Sequence, residues 1–297
     1  MAGLPPRVVF VVRETDYELL LARHATRQQA GFFLKSRGQD LAGTEAAHDR
    51  FQAVLRKARE QVPGDWRQAL VRRDALDRFL FASDDLVVPV GQDGLVANVA
   101  KYLDGQPVLG VNSAPERFDG VLMHIPLAGL GRMLGAVRAG TFDCEFRTMA
   151  QARLDSGESL TALNELFVGH RSHQSARYEI AAGDARENHS SSGLIVSTGT
   201  GATGWARSIM EASAFSIALA PEEPALGYFV REPFPSVATG TAMRSGKLSS
   251  ETLRVTSRMN DGGVIFADGI EQDFLAFDWG KELTVGVAQK RLRLVRP

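Results

Sequence analysis

The sequence predicts an α/β domain followed by a β-rich domain. Over the first 140 residues, apolar strand-like runs alternate with segments of helical spacing, which is typical of a doubly wound parallel sheet. After Gly140, short β-prone runs separated by Gly and Asp turns dominate, and they predict an antiparallel, sandwich-like domain. We therefore divide the chain of 297 residues into domains 1–140 and 141–297.

The first domain is assigned from two patterns. Arg7–Val12 contains a continuous apolar run, as expected for a strand buried on both faces, and Glu45–Val62 has apolar residues at helical spacing. The same patterns give, in chain order, the strand Ala69–Val71, the helix Asp74–Ala82, the strand Leu86–Val90, the helix Ala97–Leu103, the strand Val108–Val111 and the helix Pro126–Arg138. Arg23–Asp40 fits this alternation poorly, and we interpret it as an inserted loop or helix.

The second domain is a series of short strands interrupted by one helix, at about 204–214. The predicted strands are Thr141–Leu154, Leu163–Val168, Arg177–Ile180, Leu194–Ser197, Tyr228–Val230, Glu251–Ser257, Val264–Phe266, Phe274–Phe277 and Leu283–Val287. Most are short runs in which β-branched, aromatic or aliphatic residues predominate, which favours strands.

Composition excludes several classes of function. The net charge is −1, so electrostatics selects neither nucleic acid nor an anionic membrane. No apolar run reaches the roughly 18 residues of a membrane span. The single cysteine, Cys144, excludes an intramolecular disulfide and a cysteine zinc cluster. Because Met1–Arg7 also lacks the features of a signal peptide, we expect a cytoplasmic protein in a reducing compartment.

The first candidate site is a glycine-flanked aspartate after the strand Leu86–Val90. Gly91, Gln92, Asp93 and Gly94 form a strand–turn–helix junction, which places a carboxylate at the carboxyl end of a buried strand. The dipole of the following helix favours phosphate there. Asp93 is therefore a candidate general base or Mg²⁺ organiser. The alternative is a turn aspartate that binds only nearby backbone groups.

A second glycine-rich turn, Thr198–Trp205, follows the strand Leu194–Ser197. It matches the dinucleotide fingerprint G-x-G-x-x-G between a strand and a helix. The segments that follow are short and β-rich, without a second β-α-β unit, so a Rossmann fold is not expected here. A hydroxyl-lined loop that contacts a nucleotide through Thr200 and Thr203 remains the functional interpretation.

Asn164 and Glu165 are adjacent polar residues inside a strand-like run. One of them should face the buried side, which is uncommon unless it has a partner. They are candidates to bind ribose hydroxyls, and a strand end with exposed side chains is the alternative. His170 and His173 lack further His or Cys residues nearby, so we assign no metal ligands.

These signals, in this order, resemble the NAD kinase family, within the superfamily that also contains diacylglycerol, sphingosine and 6-phosphofructokinases. Pro107–Asn112, Ser197–Trp205 and Phe266–Gly269 are similar to further segments of that family. The most similar branch is the mitochondrial-type NAD kinases. The segments shared with that branch are Asn112–Arg117, Ser191–Gly193 and Val230–Pro233.

The resemblance implies phosphoryl transfer from ATP, with Mg²⁺, to the 2′-hydroxyl of the adenosine ribose of NAD or NADH. It implies that Asp93 is catalytic and that Asn164 and Glu165 bind the NAD ribose. The other nucleotide-binding residues that it implies are Gly91, Gln92, Gly94, Asn112, Thr200, Gly201, Thr203, Trp205 and Asp268. It also implies a homodimer or homotetramer, with the last residues of the chain returning to the first domain.

Two positions depart from the family motif Gly-Gly-Asp-Gly-Thr. Gln92 adds a side chain where the backbone would approach phosphate, and Leu95 removes a hydroxyl that could donate to it. Loss of one charge-assisted contact would cost about 1.5–3 kcal/mol, about tenfold or more in rate. Three hypotheses therefore stay open: an NAD kinase using ATP or another donor, a non-catalytic NAD(P)-binding protein, and a kinase for another hydroxyl acceptor.

Overall fold

The protein contains two compact units. The structure, a computed structural model, describes residues 5–213 and 216–297. The first unit comprises Met1–Glu145 together with Arg293–Pro297, and the second comprises Phe146–Leu292. Our sequence boundary, Gly140, lies a few residues before the division between them.

The described residues form six α-helices and nineteen strands. The helices are α1 Asp16–His24, α2 Arg27–Lys35, α3 Leu41–Glu60, α4 Asp93–Ala100, α5 Leu130–Ala139 and α6 Trp205–Ser213. The strands are β1 Arg7–Val12, β2 Arg67–Arg72, β3 Leu86–Gly91, β4 Pro107–Val108, β5 Val111–Asn112, β6 Cys144–Arg147, β7 Ala150–Leu154, β8 Ser159–Ala162, β9 Glu165–His170, β10 Ala176–Ala182, β11 Ala185–Ser191, β12 Leu194–Ser197, β13 Leu226–Val230, β14 Ser245–Leu248, β15 Leu253–Ser257, β16 Gly263–Ala267, β17 Phe274–Ala276, β18 Glu282–Val287 and β19 Leu292–Val295. The 3₁₀ helices are Arg73–Arg78, Leu127–Gly129 and Gly201–Thr203.

The first unit is built on a parallel sheet. Its strand order is β2-β1-β3-β4-β19-β6, with β5 paired to β3. The pairs β1/β2, β1/β3, β3/β4, β3/β5 and β4/β19 are all parallel. One face of β1 and β3 packs against apolar residues of α3 and α5, whereas α4 packs on the same strands without joining that cluster. Helices therefore cover both faces, as parallel sheets require.

The segment Arg23–Asp40, which fitted the alternation poorly, is mostly helical. Thr15 caps α1 in a reciprocal capping box with Glu18, and Thr26 caps α2. Ala30, Leu34 and Leu41 form a separate small apolar cluster with residues of α1. The short, separately capped helices explain why one long helical period is not visible in the sequence.

The helix after the aspartate turn begins earlier than predicted. The sequence suggests Ala97–Leu103, but α4 starts at Asp93 and ends at Ala100. Its residues 95–100 are all buried, so no amphipathic period marks its start. The segment predicted as the helix Asp74–Ala82 forms only a 3₁₀ helix, Arg73–Arg78.

The second unit is a sandwich of two antiparallel sheets. Their strand orders are β11-β10-β15-β18-β7-β8 and β14-β13-β12-β9-β16-β17. Side chains from both sheets form one apolar core that includes Tyr178, Leu166 and Phe277. Helix α6 covers the outer face of the second sheet, where Ala206 packs near Phe229. The predicted fold class, a parallel α/β domain followed by a β-rich sandwich, is confirmed.

The sequence did not predict four of the strands, and three of these lie at sheet edges. Strands β8, β11 and β14 are edge strands with many polar side chains, so they lack a buried apolar pattern. The fourth, β19, returns to the first unit, where Arg293 and Leu294 pair with Pro107 and Val108. The predicted last residue of the second-domain helix, Ala214, lies outside the described residues.

None of the helices in the described part of the chain is long and apolar enough to cross a membrane.

Candidate active site

Strand β9 organises the candidate site of the second unit. It lies between β12 and β16 and runs antiparallel to both. Its first residue, Glu165, therefore pairs with Ser197 at the end of β12, while Leu166 pairs with Ala267 at the end of β16. Three segments far apart in sequence meet at this edge: residues 163–165, 198–203 and 268.

Thr198 connects two of these segments and is completely buried. Its hydroxyl donates to the backbone carbonyl of Leu163 at 2.5 Å and accepts from the backbone N–H groups of Thr200 (3.1 Å) and Gly201 (3.2 Å). Its own N–H donates to the carbonyl of Asn164 at 2.9 Å. The glycine-rich turn is thus fixed against the Asn–Glu segment, although the sequence analysis assigned Thr198 no role of its own.

Asp268 connects the third segment. Its carboxylate accepts backbone N–H bonds from Leu163 (2.9 Å), Asn164 (2.7 Å) and Glu165 (3.3 Å). Its backbone has a left-handed φ of 51°, which is uncommon outside glycine but tolerated by aspartate. Six predicted site residues are therefore brought together here: Asn164, Glu165, Thr200, Gly201, Thr203 and Asp268.

The side chain of Glu165 is electrostatically unusual. Burial and the nearby charge of Asp268 raise its pKa from 4.5 to about 7. A carboxylate that titrates near neutral pH can change between accepting and donating a hydrogen bond within the physiological range. A mostly buried carboxylate with a raised pKa is more consistent with a ligand-binding residue than with an exposed strand end.

Trp205 is not part of this hydrogen-bond network. It opens α6, where its ring stacks on Phe167 at 6.2 Å between centroids and the guanidinium of Arg231 lies 5.2 Å from its centre. Arg147, which the sequence analysis did not single out, is buried and donates to the Thr200 hydroxyl at 3.5 Å. Its only sequence signal is a basic residue within the β-prone run Thr141–Leu154.

We expect the raised pKa of Glu165 to make stability pH-dependent. Between pH 4.5 and about 7 the folded state binds more protons than the unfolded state, so rising pH destabilises the wild type. Glu165→Gln removes this titration. Urea denaturation should show the variant gaining on the order of 2 kcal/mol relative to wild type across that range. A stability difference that is independent of pH would contradict the raised pKa.

We expect Gly201→Ala to disrupt the glycine-rich turn. A Cβ at this position would lie 2.1 Å from the carbonyl oxygen of Asn164 and 2.6 Å from the hydroxyl of Ser197. The turn would have to move away from β9, at a cost of about 2 kcal/mol or more in the free energy of unfolding. Gly135→Ala is the matched control, because a Cβ there meets nothing within 4 Å in α5. Equal stabilities of the two variants would disprove the close packing.

The first unit contains the aspartate turn. The carboxylate of Asp93 accepts backbone N–H bonds from Val121 (2.9 Å), Leu122 (2.9 Å) and Met123 (3.1 Å). These three bonds occupy three of about four lone-pair positions of a carboxylate. Asp93 therefore holds the 121–123 loop, and by this count one of its lone-pair positions has no partner among the described residues. Asp268 likewise accepts three backbone N–H bonds.

The other predicted site residues near Asp93 differ in their burial and hydrogen bonds. Gly91 has a φ of 155° and pairs with Asn112 of β5. The Asn112 side chain accepts from the N–H of Ala114 at 2.9 Å and donates to the carbonyl of Phe118 at 2.7 Å, so it holds its own loop. Gln92 and Gly94 are exposed, and no side-chain bond from Gln92 caps α4.

Solved structures identify this architecture. Yeast NADH kinase, solved with NADH, superposes with a TM-score of 0.58 at 17% identity over 99% of this chain and 84% of that one. An NAD kinase from Archaeoglobus fulgidus, solved with ATP, gives a TM-score of 0.57 at 18% identity over 97% and 93%. The chain has the NAD kinase fold.

Sequence comparisons with NAD kinases confirm the predicted resemblance. An NAD kinase of Ralstonia nicotianae is 34% identical over 133 residues, which are 42% of this chain and 43% of that protein. Mitochondrial NAD kinase 2 of Rattus norvegicus is 23% identical over 91% of this chain and 83% of the relative. The chain spans about half the length, or less, of the bacterial relatives it matches. No protein-family model matches it.

Within this NAD kinase fold, the two residues that depart from the family motif, Gln92 and Leu95, differ in burial. Leu95 is buried, with 5% of its surface exposed, and therefore adds to the packing of α4. Gln92 is exposed at the start of that helix and has an ordinary extended backbone, so its position does not require glycine. Among residues 5–213 and 216–297, no group of three or more His, Cys, Asp or Glu side chains could hold a metal ion.

Proposed function

We propose that the protein is an NAD kinase that transfers the terminal phosphoryl group of ATP to the 2′-hydroxyl of the adenosine ribose of NAD or NADH. The 2′-oxygen attacks the γ-phosphorus as the bond from that phosphorus to the β,γ-bridging oxygen breaks. The hydroxyl proton leaves to a base, and the products are NADP(H) and ADP. Phosphoryl transfer of this kind depends mainly on positioning and charge neutralisation.

One observation carries the proposal. The Asn–Glu segment, the glycine-rich turn and Asp268 are separated by 30 or more residues, yet the sandwich brings them to one edge. The same segments carry the resemblance to NAD kinases. This convergence supports a single ligand site better than three unrelated turns.

In the second unit, Asn164 and Glu165 would bind the ribose hydroxyls of NAD. The ionised carboxylate of Glu165 accepts hydroxyl bonds, and Asp268 holds the backbone of both residues in place. Thr200, Gly201, Thr203 and Trp205 would contact the adenosine. Arg147, buried beside Thr200, would help to position this turn.

In the first unit, Asp93 would orient the acceptor hydroxyl or take its proton. Gly91, Gln92, Gly94 and Asn112 would surround the donor phosphates. The remaining lone-pair position of Asp93 also fits a single bond to Mg²⁺. Because no described carboxylate cluster accompanies it, the donor phosphates would supply most of the ligands. When bound, Mg²⁺ neutralises the phosphate charge.

The test is NADP(H) formation by the purified protein. NAD or NADH is supplied with Mg²⁺ and either ATP or polyphosphate, and other hydroxyl compounds serve as competing acceptors. We expect turnover only with the dinucleotides. Dinucleotide binding by calorimetry without turnover from any donor would favour the non-catalytic protein, which the substitutions at Gln92 and Leu95 suggest. Transfer to a different hydroxyl would favour the third hypothesis.

The remaining features of the proposal rest on the sequence. The single cysteine supports a reducing compartment, and we propose the cytoplasm. The resemblance supports a homodimer or homotetramer, which light scattering of the purified chain can test. A net charge of −1 offers no support for a nucleic-acid partner.

A further inference from the structure

Arg13 lies at the carboxyl edge of the parallel sheet, level with the aspartate turn. Strand β1 pairs in parallel with β3, with Val11 opposite Pro89. Two residues further along this register, Arg13 lies at the level of Gly91, which itself pairs with Asn112. Ligands of parallel α/β sheets bind at the carboxyl ends of the strands.

The alternation of β1 places Arg13 on the α4 side. The side chains of Val8, Phe10 and Val12 belong to the apolar cluster with α3 and α5. Extending this alternation by one residue beyond the end of β1 assigns Arg13 to the opposite face. Helix α4 packs on that face, and Asp93 is its first residue. Adjacent strands lie about 4.8 Å apart, within the length of an arginine side chain.

The guanidinium of Arg13 is exposed and unengaged. Among the described residues it has no hydrogen bond or ion pair, in contrast to its neighbours. Arg72, one strand away, forms ion pairs with Glu14 and Asp74, and Asp93 is bound by backbone N–H groups. The carboxylates of Glu14, Asp74 and Asp93 therefore have other partners, and Arg13 keeps a free cation at this edge.

We propose that the guanidinium of Arg13 binds the phosphate chain of the phosphoryl donor beside the Asp93 turn. This inference rests on the proposed function, because the turn is taken to be the place of phosphoryl transfer. The planar guanidinium matches a phosphate with two parallel N–H bonds. It supplies a donor contact in a motif where the usual threonine hydroxyl is replaced by the buried Leu95.

The test is calorimetric titration of the full chain with inorganic tripolyphosphate and, separately, with NAD. Arg13→Met should weaken tripolyphosphate binding about 10- to 100-fold, the size of one charge-assisted contact, and leave NAD affinity within about twofold. Arg13→Lys, which keeps the charge but not the fork, should fall between Arg13→Met and wild type. Arg56→Met is the control, because Arg56 is exposed on α3, and it should change neither affinity. Thermal melting verifies that each variant is folded.

The outcomes separate this inference from the proposed function. Unchanged tripolyphosphate affinity in Arg13→Met overturns the inference, as does a wild type that binds neither tripolyphosphate nor ATP. If tripolyphosphate binds through Arg13 but no donor yields NADP, the inference stands and the proposed function fails. If NADP forms with the same KM for ATP in Arg13→Met as in wild type, the function stands and the inference fails.

Discussion

Replacing Asp93 with asparagine is expected to lower the rate of NADP formation at least about 100-fold, the size of effect seen when one preorganised charged contact is lost from an active site. Asparagine keeps the shape of the side chain but removes the charge that would orient the 2′-hydroxyl or take its proton. Its NH₂ group also opposes one of the three N–H donors of residues 121–123. Steady-state kinetics of the purified variant measures the loss.

Asp119→Asn is the matched control for this substitution. Asp119 is exposed in the loop that precedes residues 121–123. Its substitution also removes one negative charge, but it breaks no side-chain hydrogen bond or ion pair seen among the residues that the structure describes. It should retain turnover within about twofold. Because Asp93 also holds its loop, a circular dichroism melt must show that Asp93→Asn is folded at the assay temperature. Wild-type turnover in folded Asp93→Asn would remove Asp93 from the mechanism.

Thr198→Val is expected to produce the largest loss of stability among the substitutions in the second unit. Valine matches the shape of threonine but leaves the N–H groups of Thr200 and Gly201 and the carbonyl of Leu163 without their buried partner. Each unsatisfied buried group costs about 1–3 kcal/mol, so we expect a total of about 3 kcal/mol in the free energy of unfolding. Urea denaturation measures this loss.

Thr203→Val is the control for Thr198→Val, because it removes a different hydroxyl from the same turn. Thr203 is exposed and donates a single bond, to the carbonyl of Thr200 at 2.9 Å. Its loss should cost less than about 1 kcal/mol. NAD affinity should fall in Thr198→Val, because the turn loses its connection to Leu163 and Asn164. Equal destabilisation by the two substitutions would show that Thr198 does not organise the site.

The sequence predicted the parts of the fold whose side chains are buried on a regular period. Strands β1, β3 and β12 have continuous apolar runs, and their predicted bounds agree with the structure to within one residue. The polar edge strand β11 and helix α4, whose residues 95–100 are all buried, show no such period. The sequence pattern therefore predicted the buried strands accurately, but it missed edge strands and predicted the start of α4 too late in the chain.

The sequence named many of the candidate site residues but not the contacts that hold them. The N–H groups that bind Asp93 belong to Val121, Leu122 and Met123, and backbone donors have no side-chain signature. The raised pKa of Glu165 depends on burial and on Asp268, which is 103 residues away in the chain. Such properties arise only when the sandwich brings the two residues together.

The most direct test of the central claim is the fate of the terminal phosphoryl group. Wild-type protein is incubated with NAD, Mg²⁺ and ATP that carries ¹⁸O at the three non-bridging oxygens of its γ-phosphate, and the dinucleotide product is analysed by mass spectrometry and ³¹P NMR. We predict NADP whose 2′-phosphate carries the label, together with unlabelled ADP. Unmodified NAD, or label on any other hydroxyl, would contradict the assignment of this protein as an NAD kinase.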